Sequence, residues 1–288
     1  MPVENKLPVS VCIIAGNEAP RISRALASVV EWAQEIIVVT DPGVNDGTPA
    51  IAERFGASVF CEPWAGHAVH RNFASEKARQ PWLLALDADE EVSPELRESI
   101  RAALSNPTRP TVAYEFSRCT YFCGRWIRHG DWYPDRKVRL WQRGKACWNG
   151  ALLHEKLVVD GAIARLAGDL KHYSMEGLDH FARKSIRISE LFLKQKQERT
   201  ELRGALFAML FHSWWRFTRG YFLRQGFLDG WQGYAIARMI AFETFLRYAK
   251  IQETMANSTR PSAQTQAGVV SRTANPKGEL AAERLGKP

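Results

Sequence analysis

Four carboxylates, Asp87, Asp89, Glu90 and Glu91, close the apolar run Trp82-Leu83-Leu84-Ala85-Leu86. Such a run predicts a strand buried on both faces of a parallel sheet, and acids at its carboxyl end fall where these sheets place their ligand crevice. Side chains alternate along a strand, so Asp87 and Asp89 share one side and Ala88 takes the other. Two carboxylates held together repel unless positive charge stands between them, and a divalent cation, magnesium or manganese, is the usual remedy. Such ions keep several waters and bind through one or two carboxylates plus substrate phosphates, which points to a nucleotide or diphosphate ligand. A plainer reading also fits: a solvated loop before a helix, with Ser93 as N-cap and Pro94 at the first helical position. A second candidate pair, His154-Glu155, ends the stretch Trp148-Asn149-Gly150-Ala151-Leu152-Leu153. A lone histidine is more often structural. Here the adjacent carboxylate and preceding glycine turn make the pair a candidate for the third metal ligand and the general base that the aspartates do not supply.

Positioning these groups requires a sheet, and the chain ahead of Trp82 provides for one. Val9 to Ala15 predicts a first strand ending at Gly16-Asn17-Glu18, followed by a helix from Ala19 to Val30 with Ile22, Leu26, Val29 and Val30 on one face. A second strand, Glu35 to Thr40, ends at Asp41; the loop Pro42 to Gly47 then leads to a helix at Thr48, with Asp46 as its candidate N-cap. A third strand, Ala57 to Cys61, precedes a helix carrying His70, Arg71, Asn72 and Phe73. Strand and helix alternating in this way define an α/β fold with a mainly parallel sheet. No GxGxxG follows the first strand and no GxxxxGK[ST] occurs, so dinucleotide and P-loop sites lack their main support. After a helix from Ser93 to Leu104, a turn-rich segment leads to a strand from Val112 to Ser117, and residues 119–168 read as aromatic and irregular. Tyr121, Trp126, Trp132, Tyr133, Trp141 and Trp148 alternate there with Arg125, Arg128, Arg136, Lys137, Arg139 and Arg143. They fit either a mixed-sheet core or an acceptor cleft for a sugar or lipid head group.

Charge divides the chain unevenly. The net charge of the 288 residues is +8, and between Phe181 and Lys250 thirteen basic residues face five acidic ones, which accounts for all of it. Helices are predicted at Leu178 to Arg199, Gly204 to Arg224 and Phe227 to Lys250, the second rich in Trp, Phe and Tyr with Arg interspersed. No uncharged apolar run reaches the length of a spanning helix. An interfacial helix pair on anionic lipid fits this composition; a core-packing hairpin or dimer contact is the alternative. Past Ile251 the composition becomes polar and a disordered tail is expected. The N-terminus lacks a secretory pattern, which predicts a cytoplasmic protein. Five scattered cysteines without a CxxC pair indicate neither a disulfide framework nor a zinc site, and Cys12 and Cys61 read as small packing residues.

Taken in order, Ile13-Ile14-Ala15-Gly16-Asn17-Glu18, the segment Ile36 to Thr48, Arg71-Asn72-Phe73-Ala74, Leu86-Asp87-Ala88-Asp89-Glu90 and His154-Glu155 resemble the family 2 glycosyltransferases of the GT-A fold. Within that family the similarity is to bacterial lipopolysaccharide core heptose beta-1,4-glucosyltransferases, over roughly residues 7 to 250; Arg219-Gly220-Tyr221 and Gly226 to Gly230 resemble their membrane-proximal end. The family usually reads Asp-Ser-Gly-Ser-Thr-Asp-Gly-Thr after the second strand, where this chain has Pro42 in place of the first serine. The resemblance implies a GT-A nucleotide-sugar-binding domain with a C-terminal amphipathic helical segment. Its donor half would span 1–110, its acceptor half 111–174, the basic helical segment 175–250 and the tail 251–288.

The same resemblance implies that Glu18 and Asp41 hold the uridine, that Arg71 approaches the nucleotide, and that Asp87 and Asp89 are the family's DxD pair with Asp89 on a divalent cation. His154 would be a metal or diphosphate ligand, Glu155 the base of a single inverting displacement, and Arg139 a second charge on the diphosphate. The implied partners are a nucleotide-sugar donor, a lipid-linked saccharide acceptor and an anionic membrane surface at the inner face of the inner membrane, with no nucleic acid. Rival readings are a sugar transferase acting on polyprenyl phosphate, a nucleic-acid-binding protein using the basic aromatic stretch, and an inactive membrane scaffold.

Overall fold

A computed structural model of the chain describes residues 6–105, 110–150, 156–175, 177–197 and 205–258. The sheet grows outward from a strand buried along most of its length. That strand, β1 (Leu7–Ala15), pairs in parallel with β2 (Ala33–Thr40) on one side and β4 (Trp82–Asp87) on the other. β3 (Ser58–Cys61) extends the β2 side, and helices α1 (Ala19–Ala27), α2 (Thr48–Arg54) and α3 (His67–Lys77) make the crossovers. Both faces of β1, β2 and β4 are buried, with alternate residues in separate cores. Val11, Ile13, Ile36, Val38, Leu84 and Leu86 join Ile22 and Leu26 of α1. Cys12, Ile37, Val39, Leu83 and Ala85 join Ala74 of α3, together with Trp141 and Trp148.

Past Asp87 the chain turns at once into β5 (Glu90–Val92) and α4 (Pro94–Ser105), so Glu90 and Glu91 are strand residues rather than part of a solvated loop. β6 (Thr111–Phe122), β7 (Arg125–Trp126), β8 (Asp135–Gln142) and β11 (Ala162–His172) complete the sheet; β9 (Ala146–Asn149) and β10 (Lys156–Val159) form a separate ribbon. The order is β3-β2-β1-β4-β8-β6-β11-β5, parallel except where β8 and β5 insert antiparallel, with β7 folded back on β6. The region that composition left irregular is therefore largely regular strand. Trp141 and Trp148 are buried, so for these two the core reading holds. One glycine is sterically required: at Gly168, with φ +88°, a Cβ would lie 2.3 Å from the Leu96 amide nitrogen of α4.

From Leu178 onward the described residues are helical: α5 (Leu178–Gln197), α6 (Ala205–Thr218), a π-helical turn at Arg219–Leu223, a 3-10 turn at Gly226–Asp229 and α7 (Gly230–Ser258). Phe181, Ile236 and Ile240 pack on Phe122 and Ile127, making a third apolar cluster that fixes these helices to the end of β6. Two buried aspartates add polar anchors. Asp131 meets Arg219 at 2.7 Å, Arg224 at 3.2 Å and Arg216 at 3.4 Å, while Asp229 accepts from the Arg128 and His129 amides. α7 runs to Ser258, seven residues past the expected start of the polar tail, because Ile251 is buried. The first helix is shorter than expected, ending at Ala27, since the Ser28 hydroxyl turns back onto the Ala25 carbonyl. Cys12 is buried as expected, but Cys61, near the edge of the sheet, is exposed.

Candidate active site

Strand order reverses between β1 and β4, and the parallel register brings the carboxyl ends of three strands level: Ala15 beside Thr40, and Ile14 beside Asp87. A crevice opens outside such a reversal because neighbouring crossovers leave in opposite directions. Here it is a cleft of about 770 Å³ whose lining includes Glu18, Asp41, Arg71, Asp87 and Asp89, five residues drawn from four segments of chain.

Asp87 and Asp89 stand in unlike surroundings. Asp87 continues the odd-numbered row of β4 toward α3, where Arg71 Nη2 donates to its Oδ1 at 2.7 Å; Arg139 Nη2, from β8, donates to its Oδ2 at 2.8 Å. The Glu90 carboxylate accepts from the Asp87 amide at 3.0 Å and lies 3.6 Å from Arg139. Burial opposes ionisation of Asp87, but Arg139, Arg71 and Arg118 outweigh it and hold the carboxyl well below the usual range. Asp89 instead faces His172, whose Nε2 is 3.5 Å from its Oδ2. Burial opposes ionisation here too, and the His172 contact overcomes it, so the Asp89 pKa is lowered. The other side of the His172 ring is steadied by the Thr120 and Ser174 hydroxyls at 3.3 and 3.2 Å from Nδ1.

The opposite wall is built from the loops after β1 and β2. Asp41 holds its own loop, accepting from the Gly43 amide at 2.7 Å and the Trp64 amide at 2.8 Å. Asp46 does more than cap one helix: Oδ1 accepts from the Thr48 amide and hydroxyl while Oδ2 accepts from the Ala19 amide, tying the starts of α1 and α2 together. The Thr48 hydroxyl in turn accepts from the Glu18 amide at 2.9 Å. Burial raises the Glu18 pKa even though Arg21 Nε donates to its carboxylate at 2.8 Å.

The structure thus gathers Glu18, Asp41, Arg71, Asp87 and Asp89 into one cleft. Arg139 does not line it; only 5% exposed, it reaches the cleft through Asp87. The charge expected of Arg139 at a diphosphate is available instead from Arg118 and Lys184, which do line the cleft. His154 and Glu155 lie outside the described residues. Sequence reasoning missed Trp64, His67, Arg118, His172, Ser174 and Lys184 on the cleft wall. His172 ends the alternating strand β11, a pattern legible in principle but obscured by its polar composition; Lys184 carries no local signal, because only packing turns one face of α5 toward the cleft.

A divalent cation fits this donor set. Asp89 and His172 offer a carboxylate and an imidazole on the cleft wall, whereas both Asp87 oxygens are taken by guanidiniums. Among the described residues no group of three or more His, Cys, Asp or Glu side chains is arranged as a metal site.

A crevice of carboxylates and guanidiniums at a strand-order reversal is the layout of an α/β enzyme that binds a nucleotide at its sheet edge. The sequence profile described as glycosyl transferase family 2 matches residues 10–154, from β1 to the candidate histidine, and the chain belongs to that family. It is 30% identical over 264 residues to the lipopolysaccharide core biosynthesis glycosyltransferase LpsC of Rhizobium meliloti, covering 89% of this chain and 96% of that one. An uncharacterized glycosyltransferase of Rickettsia felis is 29% identical over 287 residues, 93% of this chain and 97% of its own. Among solved structures, the mannosyltransferase PcManGT of Pyrobaculum calidifontis, in complex with GDP-Man and Mn2+, covers 90% of this chain and 78% of its own at 15% identity and a TM-score of 0.46, an overlap that assigns nothing by itself.

Proposed function

We propose that this glycosyltransferase is an inverting enzyme that moves a hexose, glucose from UDP-glucose in the first instance, onto an inner-core sugar of lipopolysaccharide. The observation that carries the reading is the convergence of Glu18, Asp41, Arg71, Asp87 and Asp89 on one cleft at the sheet's switch point. The relative named for lipopolysaccharide core biosynthesis supports the acceptor class.

In this reading Glu18 and Asp41 face the nucleoside, and Asp87 holds Arg71 and Arg139 in place at the floor of the site. Asp89 would hold a divalent cation together with His172 and His154. When bound, that cation supplies positive charge to the departing diphosphate. Arg118 and Lys184 line the cleft on the same side as His172 and add positive charge for the same oxygens. Glu155 takes the proton of the acceptor hydroxyl; the hydroxyl oxygen bonds the anomeric carbon from the face opposite the diphosphate, and the bond to the diphosphate oxygen breaks.

Attachment to the inner face of the inner membrane belongs to the same proposal. Phe207, Leu210, Trp214, Phe222, Leu223 and Trp231 are each more than half exposed on α6, the π-helical turn and α7. No helix among the described residues is long and apolar enough to cross a bilayer. Aromatic side chains exposed beside arginines suit insertion at head-group depth.

Calorimetric titration of UDP and UDP-glucose, with manganese or magnesium and then with chelator, tests the donor site. Metal-dependent binding is expected for the wild type and its loss for Asp89→Ala, which should also abolish transfer. Absence of nucleotide binding under every metal condition would overturn the reading.

A further inference from the structure

A second cavity of about 420 Å³ runs along α5, lined by His180, Arg183, Lys184, Arg187, Ile188 and Leu191. The spacing places all six on one helical stripe, with four basic residues followed by two aliphatic ones. Lys184 also lines the donor cleft and a third cavity of about 280 Å³ that contains Arg118, Trp132, His172 and Ser174. The α5 groove is therefore joined, at Lys184, to the side of the donor cleft bounded by Asp89 and His172.

The arginines of this groove are matched to no acid among the described residues, whereas Lys184 feels Asp89 of the cleft and Glu243 of α7. Arg183, Lys184 and Arg187 make no ion pair among the described residues, whereas the acid of the same helix that does pair, Glu190, is turned toward Lys250 of α7. His180 Nδ1 is buried without a hydrogen-bond partner among them. Elsewhere in the molecule clustered arginines are matched: Arg216, Arg219 and Arg224 share Asp131, and Arg71 and Arg139 share Asp87. Unmatched guanidiniums side by side repel, and a bound anion relieves that cost; phosphate oxygens suit the guanidinium fork.

We propose that the α5 groove is a subsite for a phosphate group carried by the acceptor saccharide, held by Arg183 and Arg187 so that the acceptor hydroxyl is presented across Lys184 to the donor cleft. This rests on the glycosyltransferase reading above and narrows its acceptor to a phosphorylated one. Ile188 and Leu191, at the far end of the stripe, suit the apolar face of a sugar ring or the start of a lipid.

The test uses full-length protein and three probes: deacylated lipopolysaccharide core oligosaccharide with its phosphates intact, the same oligosaccharide after chemical dephosphorylation, and phosphatidylglycerol vesicles. Binding is measured by calorimetry or flotation for wild type and for the double variant Arg183→Ala/Arg187→Ala, with UDP binding followed in parallel. The phosphorylated oligosaccharide should bind about tenfold or more weakly to the variant, and the dephosphorylated one should lose a similar factor on the wild type, since two charge-assisted bonds are removed. UDP binding should be the same in both proteins. Equal binding of the two oligosaccharides, or equal binding by the two proteins, would overturn the subsite. A variant that lost only vesicle binding would also overturn it, by assigning the groove to a lipid head group. Failure of wild-type protein to bind UDP would instead strike the donor-site reading, with the oligosaccharide comparison still decided on its own result.

Discussion

Asp87 and Asp89 look equivalent in a sequence and are not equivalent in space. Asp87 lies between two guanidiniums that are 8% and 5% exposed, so its neutralisation removes the carboxylate both share and leaves Arg139 with Glu90 at 3.6 Å. Asp87→Asn should therefore lower stability by about 3 kcal/mol. Asp89, on the cleft wall, should tolerate the same change with little effect on folding while losing the metal dependence of nucleotide binding. Urea unfolding of the two variants side by side separates them; equal destabilisation would mean that both aspartates are structural. Glu155→Gln should keep UDP affinity and lower turnover by roughly 10²–10⁴-fold, the span of a lost general base. A variant turning over at the wild-type rate would exclude Glu155 from proton transfer.

Between elements, the clearest polar tie is Glu35. From β2 its carboxylate, 8% exposed, accepts from the Ser10 hydroxyl of β1, and from the Arg79 amide at 2.8 Å and Arg79 Nε at 2.7 Å, just before β4. One side chain thus joins the three strands that carry the cleft. Its burial alone would raise the pKa, but the bonds from Ser10 and Arg79 prevail and lower it. A carboxylate whose folded pKa lies below its unfolded one stabilises fully above the unfolded value, near 4.3 for glutamate, and the contribution is lost as pH falls through the folded value. Glu35→Gln should cost about 1–3 kcal/mol at pH 7. It should also flatten the loss of stability below about pH 4. Thermal unfolding of both proteins across pH 3 to 7 reads this, and parallel acid limbs would contradict it.

The whole molecule has two differently solvated ends. One is the sheet edge with its polar cleft; the other is the aromatic surface of α6, the π-helical turn and α7, where Trp214 is 59% and Leu223 63% exposed. The α5 groove lies between them in chain order and is joined to the cleft through Lys184. That arrangement suits the proposed lipid-linked acceptor, whose lipid would stay at the aromatic surface while the sugar reaches into the cleft. Replacing Phe207, Leu210, Trp214 and Leu223 together by Ser should reduce flotation with phosphatidylglycerol vesicles by on the order of tenfold or more, given the apolar area withdrawn. UDP binding should not change. Unchanged flotation would assign this surface to a protein contact instead.

The sequence by itself determined the α/β class, the succession of the first four strands along the chain and the position of the acids at their ends. Apolar runs such as Val11 to Ala15 and Trp82 to Leu86 are satisfied inside a two-faced sheet, and residues at the ends of parallel strands then share an edge. It did not determine which aspartate faces the cleft with a free side, because Arg71 and Arg139 reach Asp87 from 16 and 52 residues away. Nor did it disclose His172 or Lys184, which belong to the site only because β11 returns beside β6 and α5 packs on Phe122 through Phe181. Local patterning follows from the chain's own periodicity and burial; the charge partners of each group follow from contacts across the fold, and those exist only once the tertiary structure has closed.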